Sequence, residues 1–365
     1  MRPGLIIGLD ILSGGIATEV KLVTAISPAP RETWEQVFGA DPFALETQSP
    51  AWAEAMCATG RFRDASRLYE TADGRILVFP NLRRARPGGA AAMEGSNPLH
   101  CGVGGLLAPG GATPGDVAAV FRELASQRVL RRSIYPNPLL QSAWALGRPE
   151  GATAIPGVAQ VLDLEGGFGK VWSSRFESAT RRGIRRAERR GVTVESDATG
   201  NLVDEFYELL WATADRWGAR QHEPVWLTRR RLAHRDPRGK FEAMAQAMGD
   251  RCRFWVARVE DRPAAAYVVL QGANAYTFRS AMAPELARYR AGDLLLCRAI
   301  EAACEAGCRF CYMGDSGGSA SLAQHKKQFG AQPREYAQYR IERLPLTAAE
   351  QGVKRLAKWA LRFKD

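Results

Sequence analysis

The sequence predicts an α/β fold: two successive units of mixed sheet flanked by helices. Three observations predict it. The chain has 365 residues, which at roughly 100–200 residues per domain makes two domains. Strand-like and helix-like segments alternate along most of it, the pattern of a mixed α/β protein. An antiparallel meander at residues 252–280 runs into a glycine turn and a long apolar helix, which lays a helix on a sheet. A hydrophobic content of 46% with 24% charged residues belongs to a globular chain that buries its own core.

The elements follow in order. Residues 1–18 read as an N-terminal extension. They carry Asp10 ahead of Glu19, with only Arg2 before the apolar run, so a signal peptide is not expected. Val20–Thr24 is a strand and Arg31–Phe38 a short helix. Ser49 caps a second helix whose first position is Pro50. Arg67–Thr71 and Arg75–Pro80 are strands joined by the turn Ala72-Asp73-Gly74. Residues 84–115, rich in Gly, Pro and Ala, read as loops around one strand; they hold no G-x-x-x-x-G-K-S/T, which argues against a P-loop. Asp116–Gln127 is an amphipathic helix with Val117, Val120, Phe121 and Leu124 on one face, and Arg131–Tyr135 a strand.

The chain crosses into the second unit around Pro156–Leu164, so the units are 19–158 and 159–336. The second runs strand (Ala159–Leu164), helix (Phe168–Arg190), strand (Val192–Glu195), helix (Val203–Trp217) and a helical region over Leu227–Met248. The strands Cys252–Glu260, Ala264–Gln271 and Tyr276–Ser280 follow, the first pair turning at Asp261-Arg262-Pro263. Residues 346–365 are a basic amphipathic helix, with Leu356, Trp359 and Phe363 on one side and Lys354, Lys358 and Arg362 on the other. Such a helix packs on its own protein or rests on a membrane. No window of about 18 apolar residues exists, so no membrane span is expected. Seven cysteines without a regular framework favour free thiols in a reducing compartment, hence a cytoplasmic protein.

The stretch Arg288–Gly330 carries the motifs. The turn Tyr289-Arg290-Ala291-Gly292-Asp293 opens a helix that Gly307 ends. The strand Arg309–Met313, the break Gly314-Asp315-Ser316-Gly317-Gly318 and the run His325-Lys326-Lys327-Gln328-Phe329-Gly330 follow. A turn with Gly, a helix, G-x-R-x-x-Y-x-G-D and K-x-x-F-G in this order resemble the second half of the Fem-type transferases. That family includes the peptidoglycan-bridge aminoacyltransferases and relatives in small-molecule biosynthesis; the broader group of GNAT-fold acyltransferases is similar too. The resemblance implies two tandem GNAT-like domains (the acyl-CoA N-acyltransferase fold), with a strand at 337–345 returning to the first. The first domain would select the acceptor, the second hold the donor, and the cleft between them bring the two together.

The resemblance also implies roles. Lys326 would lie beside the reacting carbonyl, where the attack of an amine on an acyl ester or thioester needs a cation or donor for the oxyanion. The proton of the amine needs an acceptor; Asp315 is the nearest acid in sequence, His325 is possible, and the leaving oxygen of the donor is the family's own answer. Arg279, Tyr289, Arg290, Gly292 and Phe329 would contact or shape the donor site. The turn at 289–293 sits where CoA-dependent members bind a diphosphate at a helix N-terminus. It has one glycine and then Asp293, an acid that repels phosphate, which weighs against acetyl-CoA.

Charge supplies a second signal. The net charge is +11 and the pI about 9.5, which puts nucleic acid among the partners. In the segment 175–191, Arg181, Arg185 and Arg189, and likewise Arg182, Arg186 and Arg190, recur at helical spacing. These two ridges make a basic face suited to tRNA or pyrophosphate, with Phe176, Ala179, Ile184 and Ala187 on the buried side. A solvated face with diffuse counterions is the ordinary alternative for such a run. A second cluster, Arg229 to Arg231, His234, Arg235, Arg238 and Lys240, lies where some members insert a long helical arm that this chain lacks.

Cys304, Cys308 and Cys311 match the C-x3-C-x-aromatic-C string of radical enzymes that hold an iron–sulfur cluster. They span a helix end, a turn and a strand, however, so core cysteines are expected. No H-E-x-x-H or G-x-S-x-G occurs, the four histidines lack metal spacing, and no metal or other cofactor is expected. The reading is therefore an N-acyltransferase using aminoacyl-tRNA as co-substrate and a small-molecule or peptide amine as acceptor, working as a monomer. The alternatives are an acyl-CoA-dependent GNAT-fold enzyme and a non-catalytic RNA-binding protein.

Overall fold

The computed structural model describes residues 20–85, 93–148, 151–220 and 223–352. The expected extension at 1–18 and most of the expected C-terminal helix lie outside these residues; 346–352 are helical. The first half contains β1 (Leu22–Ile26), α1 (Arg31–Ala40), α2 (Pro50–Ala58), β2 (Phe62–Asp64), β3 (Arg67–Thr71), β4 (Ile76–Phe79) and β5 (Leu82–Arg84). It continues with β6 (Met93–Gly95), α3 (Pro114–Ser126), β7 (Arg131–Ile134) and α4 (Gln141–Gly147). The second half begins with β8 (Thr153–Asp163), α5 (Gly167–Lys170), α6 (Ser178–Arg189), β9 (Thr193–Asp197), α7 (Val203–Arg220), α8 (Val225–Arg235) and α9 (Arg238–Met248). It ends with β10 (Cys252–Val259), β11 (Arg262–Gln271), β12 (Ala275–Met282), α10 (Ala291–Glu305), β13 (Phe310–Asp315), α11 (Ala320–Gln328) and β14 (Gln332–Glu342).

One sheet runs through both halves, in the order β2-β5-β6-β7-β14-β8-β13-β12-β11-β10-β9; β1, β3 and β4 form a separate small sheet. β14 is the seam. It pairs with β8 from Gln332 opposite Val161 to Arg340 opposite Thr153, and with β7 from Tyr339 opposite Ile134 to Glu342 opposite Arg131. Both seam strands extend beyond expectation: β14 starts at Gln332, ahead of 337, and β8 at Thr153, ahead of Ala159. Pro156-Gly157 precedes the strand expected from Ala159. Gly157 is instead needed in the strand, because a Cβ there would come 2.8 Å from the Tyr336 ring on β14.

Three further boundaries move for local reasons. The helix expected over Phe168–Arg190 is broken: Val171–Arg175 forms a wider turn, and Phe176 and Glu177 are extended before α6 begins. The Arg181 guanidinium donates to the carbonyls of Trp172, Ser173 and Phe176, closing that break. The region Leu227–Met248 splits into α8 and α9 at Asp236-Pro237, because a proline disfavours helix in the residue before it. The β10–β11 turn is Glu260-Asp261, both at positive φ, a two-residue hairpin turn; Pro263 lies in the strand. The caps expected for α2 are present, Ser49 accepting from the Trp52 N–H.

Below the sheet one buried core runs from Trp34 and Trp52 in the first half to Phe206, Phe254 and Ile300 in the second. α2 packs on α9 across the junction. A smaller core gathers Tyr69, Phe79, Phe121, Trp144 and Tyr339.

Candidate active site

The site forms where two parallel strands part. β12 and β13 pair only at Ala275 with Cys311 and Tyr276 with Tyr312. Beyond that point β12 runs on to Met282 and β13 to Asp315. The backbone groups facing the gap lose their ladder partners, and a cavity of about 370 Å³ opens there. Tyr276, Arg279, Asp315, Lys326 and Tyr336 line it, with His100 from the first half at its rim.

Lys326 stands in the last turn of α11 and reaches back to the end of β13. Its Nζ donates to the carbonyl oxygens of Gly314 at 3.0 Å and Asp315 at 2.8 Å. The residue is 7% exposed. Burial pulls its ammonium down to about 8, with the Asp315 charge acting the other way. The Asp315 carboxyl touches solvent along the open side and accepts from the Tyr336 hydroxyl at 2.7 Å. Protein packed around it pushes it above the usual carboxylate range, against the Tyr336 hydrogen bond and the Lys326 charge. The cavity thus holds an ammonium that gives up its proton at about 8, below the ordinary lysine value, beside a carboxylate that takes one more readily than usual. This pair can stabilise a developing oxyanion and accept a proton.

Residues 174–327 match the family model described as an acetyltransferase (GNAT) domain. The crystal structure of FemX superposes with a TM-score of 0.62 at 12% identity, covering 90% of this chain and 99% of that one. The chain has a Fem-type GNAT fold. A conserved protein of unknown function from Bacteroides thetaiotaomicron VPI-5482 is also similar, with a TM-score of 0.53 at 10% identity over 86% of this chain and 97% of that one. No curated protein sequence matches the chain.

On this Fem-type scaffold the expected site residues fall into two groups. Arg279 joins Lys326 and Asp315 in the cavity wall, but its guanidinium is committed. It pairs with the fully buried Asp236, Nη2 to Oδ1 at 3.0 Å, and donates to the His100 carbonyl at 2.6 Å. Burial alone would raise the Asp236 carboxyl, but Arg279, Lys240 and Arg235 hold it far below its usual range. Tyr289, Arg290, Gly292 and Phe329 are not among the cavity's lining residues. Phe329 packs its ring on Phe176, centroids 5.0 Å apart, under the Lys326 turn. Arg290 has a φ of +61° at the start of α10, and its Nε lies 2.8 Å from the Asp293 carboxylate. That carboxylate occupies the first turn of α10. His325 faces Asp293, Nδ1 to Oδ1 at 3.8 Å. Burial lowers its pKa, with Asp293 opposing.

On α6, Arg182, Arg185, Arg186, Arg189 and Arg190 are exposed, whereas Arg181 turns inward to the carbonyls named above. The buried side is Thr180, Ile184 and Ala187; Ala179, expected there, is exposed. Arg190 donates to the Arg288 carbonyl at 2.8 Å, which ties this face to the α10 turn. Cys308 and Cys311 are buried core residues, and among the described residues no group of three His, Cys, Asp or Glu could hold a metal. Also among them, no helix is long and apolar enough to cross a membrane. Sequence reasoning missed Tyr336, whose partner is set by the β14–β8 pairing, and Asp236, whose only local signal is the proline after it.

Proposed function

We propose that this protein is an N-acyltransferase that moves an aminoacyl group from tRNA to the amine of a small molecule or peptide. The observation that carries it is the Lys326–Asp315–Tyr336 arrangement at the parting of β12 and β13 in a GNAT fold. The acceptor amine attacks the ester carbonyl, forming the C–N bond as the carbonyl electrons move to oxygen. Lys326, as ammonium, donates to that oxyanion. Asp315 takes the proton from the attacking nitrogen. The C–O bond to the tRNA ribose then breaks, and the proton passes to the leaving oxygen.

The choice of an ester of tRNA over a thioester of CoA is supported by Asp293 in the first turn of α10 and by the exposed arginines of α6 beside it. The test is a transfer assay with radiolabelled aminoacyl-tRNA in parallel with acyl-CoA donors, scored on a panel of amines. Product formation that RNase abolishes is expected. Product formed with CoA release and insensitive to RNase would reject the donor assignment. No turnover with either donor, together with tight salt-dependent tRNA binding, would favour a binding protein.

A further inference from the structure

His325 lines the Lys326 cavity yet takes no part in the bond change at Lys326. It stands beside that lysine in α11 and shares the cavity with Tyr267 of β11, Thr277 of β12 and Leu296 of α10. Its ring rests against Phe329, centroids 5.3 Å apart. Nδ1 faces Asp293 Oδ1 at 3.8 Å, in the first turn of α10. The other oxygen of that carboxylate takes the Arg290 Nε at 2.8 Å. Asp293 also bears on Tyr267: burial first, then the Asp293 charge, then Cys311, hold that phenol above its ordinary range. Imidazole, carboxylate and phenol therefore lie together on the α10 side of the cavity.

The other charges lining the cavity are committed. Lys326 donates to two carbonyls, and Asp315 accepts from Tyr336. Arg279 and Arg235 both pair with Asp236. Asp293 acts on the cavity through His325, and the bond change asks nothing of it. A carboxylate facing Nδ1 favours the tautomer with its proton there, which leaves Nε2 an acceptor. Among the described residues Nε2 has no hydrogen-bond partner, and neither has the Tyr267 hydroxyl. Burial disfavours a second proton on the ring, Asp293 opposes this, and Arg290 and Lys326 add to it. A neutral imidazole and a phenol oxygen with a carboxylate behind them suit a small cation that donates hydrogen bonds. Every aminoacyl ester brings one, its α-ammonium, one carbon away from the reacting carbonyl.

We propose that His325, backed by Asp293, reads the α-ammonium of the donor: Nε2 accepts from one of its N–H groups and the Tyr267 hydroxyl oxygen from another. This rests on the acyl-transfer reading and adds a demand to it, that the group transferred carries a free α-amino group. The cation hydrogen-bonds to the neutral ring and repels a proton on it, so its arrival lowers the His325 pKa.

Two measurements on the full chain test this. In the first, total tRNA charged with radiolabelled amino acids is the donor, before and after deamination by nitrous acid, which exchanges each α-ammonium for a hydroxyl of nearly equal size. His325→Phe keeps a ring on Phe329 and removes the acceptor. It is expected to lower kcat/KM for aminoacyl-tRNA by about 10- to 100-fold, the worth of a hydrogen bond to a charged group, and to leave hydroxyacyl-tRNA unaffected. Equal losses with both donors overturn the inference, because a merely structural role does not tell them apart. In the second, the protein carries 13C-labelled histidine; its four histidines give few signals, and His325→Phe identifies one of them. Alaninamide, which keeps the α-ammonium, is titrated in parallel with N-acetylalaninamide, which lacks it. A saturable fall of about one pH unit in the His325 pKa is expected with alaninamide alone, and Asp293→Asn should abolish it. An equal response to the two amides, or a fall that survives Asp293→Asn unchanged, overturns the inference. The titration needs no turnover. An amine-dependent fall in a protein that transfers nothing from tRNA faults only the reaction, whereas transfer with equal losses faults only the reading of the amine.

Discussion

Lys326 is held in a way that costs stability unless its charge is used. It is nearly buried, and its proton donors meet carbonyl dipoles, not a carboxylate. Lys326→Ala is therefore expected to lower kcat/KM by about 100- to 1,000-fold, the usual loss of an oxyanion donor, while the protein stays folded by circular dichroism. Full activity in the variant would remove Lys326 from the reaction. The rate should fall on the alkaline side above about 8, where Lys326 loses its proton. It should fall on the acid side as Asp315 is protonated, at a pH above the ordinary carboxylate range. Tyr336→Phe removes a donor that holds Asp315 down, so the acid limb should move to higher pH; an unmoved limb would show that Asp315 is not the group titrating. The lysine and the aspartate were legible in sequence because short motifs mark them. Tyr336 was not, since it meets Asp315 across 21 residues of chain through strand pairing. Gly330 is fixed by a close approach as well as a turn: its φ is +84°, and a Cβ would fall 2.7 Å from the Arg175 carbonyl oxygen. Gly330→Ala should cost about 1–3 kcal/mol, read as a lowered midpoint of denaturation; an unchanged midpoint would mean that the Arg175 turn yields freely.

At the scale of elements, α6 shows how a charge run divides between structure and surface. Its arginines were legible as two ridges, yet Arg181 proves to be the clasp of the broken helix, a role hidden until the break is seen. The break was not legible because Val171–Arg175 has helical composition, and only the insertion of Phe176 beneath Phe329 interrupts it. Strands and helices bounded by their own caps and turns, such as α2, β3 and β4, were readable within a residue or two. β8 was shorter in sequence than in space, since Pro156-Gly157 belongs to a strand only when β14 lies beside it. If tRNA docks on α6, the slope of log K against log salt should shrink by about one for Arg186→Gln or Arg189→Gln, one phosphate contact each. Arg181→Gln should leave that slope unchanged and lower thermal stability instead. Equal salt slopes in the wild type and the surface variants would remove α6 as the docking face.

At the scale of the whole molecule, the two halves share a sheet and a core, so a charge at their junction acts on the entire fold. Glu46 is that charge. It lies in a single 3-10 turn between α1 and α2, 1% exposed, with neither carboxyl oxygen hydrogen-bonded. It backs onto the β11–β12 turn so closely that a Cβ on Gly272 would meet Oε1 at 2.2 Å. Burial pushes its carboxyl up to about 7, although Arg251 Nη1 stands 3.7 Å from Oε2 and pulls it down. A folded-state pKa above the unfolded value means that the folded protein binds the extra proton between them. The stabilisation is complete below about 4.5, the ordinary glutamate value, and is lost as pH rises through about 7. Integrated over that window the change is about 3 kcal/mol, to an order of magnitude. The core is continuous across the junction, so the loss should appear in one cooperative denaturation transition. Glu46→Gln keeps the shape and removes the titration. Its stability relative to the wild type should therefore improve from pH 5 to about pH 7 and then level off, as read by urea midpoints at each pH. A difference that stays constant with pH would show that Glu46 remains ionised in its buried place, compensated by Arg251.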